Sequence, residues 1–101
     1  MKIAVIGGAG MMGRITIKDL NECPAVEKIL VADFQEANAM RYAGSFNTSR
    51  IQGSFVDASN IEETAKLIKG YDAVINTSQY HNNLNVMQAC LKAKMNGLST
   101  A

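Results

Sequence analysis

The feature that most constrains this chain is a glycine-rich heptapeptide, Gly7-Gly8-Ala9-Gly10-Met11-Met12-Gly13, set directly after the apolar run Ile3-Ala4-Val5-Ile6. A short, mostly β-branched run bounded by glycines reads as a strand buried on both faces. Beyond it, Met11 to Glu22 carries Met12, Ile15, Ile17 and Leu20 at roughly helical spacing, and Pro24 closes the segment. A second apolar run, Lys28-Ile29-Leu30-Val31-Ala32, ends in Asp33. Strand, helix and strand within about thirty residues make a βαβ unit, whose strands lie parallel.

Each glycine at the strand-to-helix turn has its own expected task. Gly8 permits the tight turn, Gly10 lets the backbone approach a pyrophosphate without a clashing Cβ, and Gly13 lets the helix pack closely on the strand. The amides of Gly10, Met11 and Met12 then point at the phosphates, since amides at a helix N-terminus lack intrahelical acceptors and the helix dipole favours an anion. Asp33 lies twenty residues beyond Gly13, at the end of the second strand. There a carboxylate accepts hydrogen bonds from the adenosine ribose hydroxyls and repels a 2′-phosphate. NAD is therefore the expected cofactor. Phe34 and Gln35 follow Asp33, and NADP becomes possible if Arg41 folds back toward the site.

The alternation continues through the rest of the chain. Glu36 to Ala43 is a short helix, and Ile51 to Val56 a third strand weakened by Gly53 and Ser54. Ser59 with Glu62 forms a capping box for a helix from Asn60 to Lys69, stopped at Gly70. Asp72-Ala73-Val74-Ile75-Asn76 is the fourth strand, and Asn82 caps a final helix whose stripe of Leu84, Met87, Leu91 and Met95 belongs to the core. The fold class is α/β, a doubly wound parallel sheet of the Rossmann type in one dinucleotide-binding domain, residues 1–101. A complete fold of this type has six strands, whereas four are expected here, so the domain reads as the N-terminal part of a longer enzyme. The substrate domain would lie outside it, and the open edge of the fourth strand would promote association into a homo-oligomer.

Ligands of open α/β sheets bind at the C-terminal ends of the strands, where the strand order reverses. Asp57, after the third strand, would flank the adenine or simply shape a turn. Thr77 and Ser78, after the fourth, would run beside the ribose and nicotinamide. His81 beside Tyr80 sits where a proton donor would reach a substrate, but nothing near it in the sequence orients it as a base, and a solvated loop histidine is the plainer reading.

Composition sets the outer limits. The 101 residues suffice for one core, and 48 % hydrophobic against 19 % charged residues is ordinary globular balance. A net charge of +1 gives no one-signed field for nucleic acid, and no segment is long and apolar enough to span a membrane. Cys23 and Cys90 match neither a C-x-x-C pair nor a metal-ligand spacing; both read as small core hydrophobes in a reducing, cytoplasmic setting.

The start MKIAVIGGAGMMG, the segment VADF and above all YDAVINTSQYHNNLNVMQACLKA resemble the saccharopine dehydrogenase and lysine 6-dehydrogenase family, which includes carboxynorspermidine dehydrogenase. The resemblance covers nearly the whole chain. It implies an NAD(P)-dependent enzyme that passes hydride at a C–N bond of an amino acid, its small-molecule substrate held mainly by a later domain. The chain departs from the family at Gln79, where relatives usually have Pro, and at Gly97-Leu98-Ser99, where they continue into a fifth strand with Tyr-x-Asp.

Two rival readings share the same turn. Gly7, Gly10 and Gly13 also satisfy the G-x-x-G-x-x-G spacing of short-chain dehydrogenases and their epimerase-like relatives. The Tyr-x-x-x-Lys of that class is missing, since Phe46, Ile75 and Leu84 stand four residues after Tyr42, Tyr71 and Tyr80. A regulatory NAD-sensing domain would bind cofactor on the same fold without turnover.

Overall fold

The computed structural model describes residues 1–77, 83–93 and 97–100. Strand β1 (Lys2–Ile6) pairs in parallel with β2 (Lys28–Asp33) on one side and β4 (Ala73–Asn76) on the other. β3 (Ile51–Phe55) pairs with β2, and β5 (Gly97–Thr100) with β4, giving a parallel sheet in the order β3-β2-β1-β4-β5. This is the expected α/β architecture with one strand more than expected. The edge of β4 anticipated as open is covered by β5, with Asn76 in register with Thr100. A stretch as short and polar as Gly97-Leu98-Ser99-Thr100 carries little strand signal of its own; the unpaired edge of β4 makes it one.

Alternation along the central strands divides the core in two. Ile3, Val5, Ile29 and Val31 pack with Ile17 of α1 (Met11–Asn21) and with Ala39 and Ala43 of α2 (Glu36–Gly44). Ala4, Ile6, Leu30, Ala32 and Val74 pack with Ala65 and Ile68 of α3 (Ile61–Ile68) and with Val86, Ala89 and Cys90 of α4 (Asn83–Ala93). The sheet is thus wound on both faces. Each fully buried Val or Ile contributes about 1.5–3 kcal/mol to this arrangement.

Which helical face packs differs from expectation in two places. On α1, Ile17 is fully buried and Gly13 is buried with it, whereas Met12 and Ile15 are 55 % and 53 % exposed. At about 100° per residue, Gly13 and Leu20 fall within about 60° of Ile17, while Met12 and Ile15 point about 140° and 160° away. On α4 the buried side is Val86, Ala89 and Cys90; Met87 and Leu91, the described members of the expected stripe, are 46 % and 78 % exposed. Met95 lies outside the described residues, as does Asn82.

Three local readings are corrected as well. The N-cap of α3 is Asn60, whose Oδ1 accepts the Glu63 amide at 3.1 Å, while the Ser59 hydroxyl donates instead to Asp57 Oδ1 at 2.6 Å. Of the two cysteines only Cys90 is buried, and burial pushes its thiol pKa up; Cys23 is exposed. Gly53 does more than weaken β3. A Cβ there would lie 2.7 Å from the Ala39 carbonyl oxygen, so its absence lets α2 lie close on the strand.

Candidate functional site

β1 leaves the sheet through a turn whose left-handed residue is Gly7, with φ of 80°. The conformational freedom assigned above to Gly8 is needed one residue earlier. Gly8 is required for space: a Cβ would stand 2.9 Å from Val31 Cγ1 and 3.0 Å from Ile17 Cδ1. The amides of Gly7 and Gly8 both donate to the Ala32 carbonyl, at 2.7 and 3.1 Å, which ties the turn to the end of β2. Gly13 behaves as expected, since a Cβ on it would lie 2.6 Å from Gly8 Cα.

Gly10 caps α1 in an extended conformation, and a Cβ there would meet only the Gly7 carbonyl oxygen, at 3.4 Å. The protein leaves the space in front of Gly10 open. Its amide, however, donates to Gly7 O at 3.1 Å and is not aimed at a ligand. Arg14 makes the first intrahelical bond, to Gly10 O at 2.9 Å. The amides without an intrahelical acceptor are therefore those of Met11, Met12 and Gly13, one residue further on than the expected set.

Asp33 is half-buried at the end of β2, and each of its oxygens is engaged by backbone. Oδ2 accepts the Ala9 amide and Oδ1 the Gln35 amide, both at 3.0 Å. One lone pair on each oxygen is left for a ligand hydroxyl. Asp57 accepts the Ser59 amide at 3.0 Å as well as the Ser59 hydroxyl, so it does shape a turn, and it also faces the cleft. Thr77 donates twice to the Ile6 carbonyl, from N and from Oγ1, at 2.8 Å each. Ser78, Tyr80 and His81 lie outside the described residues.

These groups converge on a cleft of about 460 Å³. Gly7 and Gly10 of the turn, Asp33 to Gln35 after β2, Val56 to Ala58 after β3, and Thr77 after β4 form its walls. All come from C-terminal strand ends, and β1 and β4 flank the point where the strand order reverses, the place at which open α/β sheets take ligands. A wider depression of about 700 Å³ between α3 and α4 is bordered by the surface pair Glu62 and Lys92 and has no glycine turn in its walls.

Two features at or near the cleft gave no signal in the sequence. Phe34, in the cleft wall, packs at a tilt against Phe55, with ring centroids 5.6 Å apart. Arg14 donates from Nε to the Ala9 carbonyl at 3.0 Å and lies over the Tyr42 ring, 5.3 Å from its centroid. Burial raises the Tyr42 phenol pKa, and the Arg14 charge partly opposes this. Arg41, in contrast, donates to Asn38 Oδ1 at 3.2 Å, along its own helix.

The open face of Gly10, the first-turn amides and the Asp33 carboxylate fit the pyrophosphate and adenosine ribose of a dinucleotide. Fold and site together define a dinucleotide-binding domain of the doubly wound class. The family profile described as the saccharopine dehydrogenase NADP binding domain matches residues 3–101. Carboxyaminopropylagmatine dehydrogenase of Synechocystis sp. is 30 % identical over 106 residues, a match covering all of this chain and 26 % of that protein. Saccharopine dehydrogenase (L-Glu forming) of Saccharomyces cerevisiae superposes with a TM-score of 0.83 at 20 % identity, over 98 % of this chain and 21 % of that one. A short-chain dehydrogenase/reductase of Veillonella parvula in complex with NADP gives 0.79 at 12 % identity, over 98 % and 46 %.

The chain belongs to the saccharopine dehydrogenase NADP binding domain family. The likeness to the short-chain enzyme concerns the fold alone, so neither rival reading is favoured. The expected cofactor class, a nicotinamide dinucleotide, agrees with the family's description. The chain spans about a quarter of the length of the curated relative it matches. Among the described residues no helix is long and apolar enough to cross a membrane, and no group of three or more His, Cys, Asp or Glu could hold a metal ion.

Proposed function

We propose that this chain holds NAD(P) for a dehydrogenase that transfers hydride at a C–N bond of an amine or amino acid. The observation that carries the cofactor half of this reading is the cleft at the β1–β4 switch point, with Gly10 open toward it. The pyrophosphate would rest on the amides of Met11, Met12 and Gly13, and the adenosine ribose hydroxyls on the remaining lone pairs of Asp33. Val56, Asp57 and Ala58 would border the adenine, with Thr77 and Ser78 toward the nicotinamide. When bound, the nicotinamide supplies or takes up the hydride.

The substrate class rests on the relatives, whose names are those of dehydrogenases of carboxyaminopropylagmatine and of saccharopine. A small-molecule substrate of that kind would be held by protein outside this domain, which would also shield the transfer from water. Self-association, if it uses a strand edge, would run through β3 or β5, the outer strands, and not through β4.

Isothermal titration of the chain with NAD and with NADP tests the cofactor reading. Saturable binding of either, in competition with the other, supports it. A folded chain that binds neither overturns it.

A further inference from the structure

The family is described as binding NADP, yet β2 of this chain ends in a carboxylate. A free carboxylate at that position would repel a 2′-phosphate. Here both oxygens already accept backbone N–H groups, from Ala9 and Gln35, and such charge-assisted bonds draw part of the negative charge toward the backbone. Ala9 also faces a cation. Its amide donates to Asp33 while its carbonyl accepts from Arg14 Nε at 3.0 Å, so the Ala9 backbone, with one hydrogen bond at each end, links the carboxylate to the guanidinium.

The Arg14 side chain is held by the Ala9 carbonyl and by the Tyr42 ring under its Cζ, and the Tyr42 hydroxyl fixes that ring by donating to the Arg14 backbone carbonyl at 2.8 Å. An ordinary surface arginine must lose rotamer freedom when it grips an anion, and this one is ordered beforehand. Its Nε is used. Among the described residues its two terminal nitrogens carry no hydrogen bond, and together they present four N–H donors in the planar fork that matches a phosphate. Arg41, the other arginine close in sequence to the end of β2, is engaged with Asn38.

We infer that Arg14 recognises the 2′-phosphate of NADP and that, with Asp33 serving the ribose hydroxyls of NAD, the chain accepts both cofactors. This rests on the proposed binding of NAD(P) in the cleft. The test compares NAD, NADP and 2′,5′-ADP by calorimetry on the chain and on Arg14→Gln and Arg14→Lys.

Arg14→Gln is expected to weaken NADP and 2′,5′-ADP by about tenfold or more while NAD stays within about twofold, with Arg14→Lys intermediate because it keeps the charge and loses the fork. On the unsubstituted chain, NADP affinity should also fall more steeply with ionic strength than NAD affinity. That measurement does not depend on any variant folding. Equal losses for NAD and NADP in Arg14→Gln, an unchanged NADP affinity, or equal salt dependence for the two cofactors would overturn the role of Arg14 and leave cofactor binding itself intact. Failure of the unsubstituted chain to bind either dinucleotide would overturn the proposed function first.

Discussion

Gly13 and Gly8 approach so closely that a Cβ on Gly13 would stand 2.6 Å from the Gly8 Cα. The obstruction is backbone and cannot swing aside. Gly13→Ala must therefore lift the start of α1 off the turn. Overpacking of this kind costs about 1–3 kcal/mol, so a fall in thermal midpoint of several degrees is expected, together with weaker cofactor binding. An unchanged melting curve would mean that the helix does not sit on the turn as described.

Gly10→Val isolates the opposite situation. The backbone there is extended at φ of −76°, and a Cβ meets nothing closer than 3.4 Å, so the variant should fold with a thermal midpoint near that of the parent. Its side chain would occupy the space of the pyrophosphate. Calorimetry should show NAD and NADP binding lost, and a folded variant with unaltered affinity would reduce the glycine turn to a connector.

Asp33→Ala should weaken NAD more than NADP, because the lost acceptor serves the ribose hydroxyls that NAD presents. It also releases the Ala9 and Gln35 amides, so a modest loss of stability, on the order of 1–2 kcal/mol, should accompany the change. Chemical denaturation measures the second effect and competitive titration the first. Affinities for both cofactors that remain at parental values would remove Asp33 from the site.

The chain by itself should bind cofactor weakly and reduce none of it. Incubation with NAD or NADP and candidate amino acids, followed at the absorbance of the reduced nicotinamide, should give a flat trace. Substrate-dependent reduction by the 101-residue chain would show that the reacting groups lie inside it.

The β1 turn was legible because its signals are local: a β-branched run, then glycines whose missing side chains have a steric meaning wherever they fall. Asp33 was legible by its distance along the chain from Gly13. Other features depend on neighbours distant in sequence. The left-handed turn position falls on Gly7 in place of Gly8, in a turn fastened to Ala32 on the adjacent strand. Met12 and Leu91 are apolar and helically spaced, yet the sheet presents itself to Ile17 and Val86 instead. Arg14 gave no signal, since its meaning comes from Ala9, Tyr42 and the carboxylate beyond them.

The two bonds from Thr77 to the Ile6 carbonyl have a mechanical consequence. They tie the ends of β1 and β4 together beside the cleft, beyond the pairing of Ile6 with Asn76, so this side of it resists widening. Adjustment to a ligand is easier at the opposite wall, where the exposed side chain of Phe34 packs at a tilt against Phe55. The cleft is then a fixed jaw facing a compliant one. Differences between cofactors should register as movement of the Phe34 side chain, while Ile6 and Thr77 stay in place.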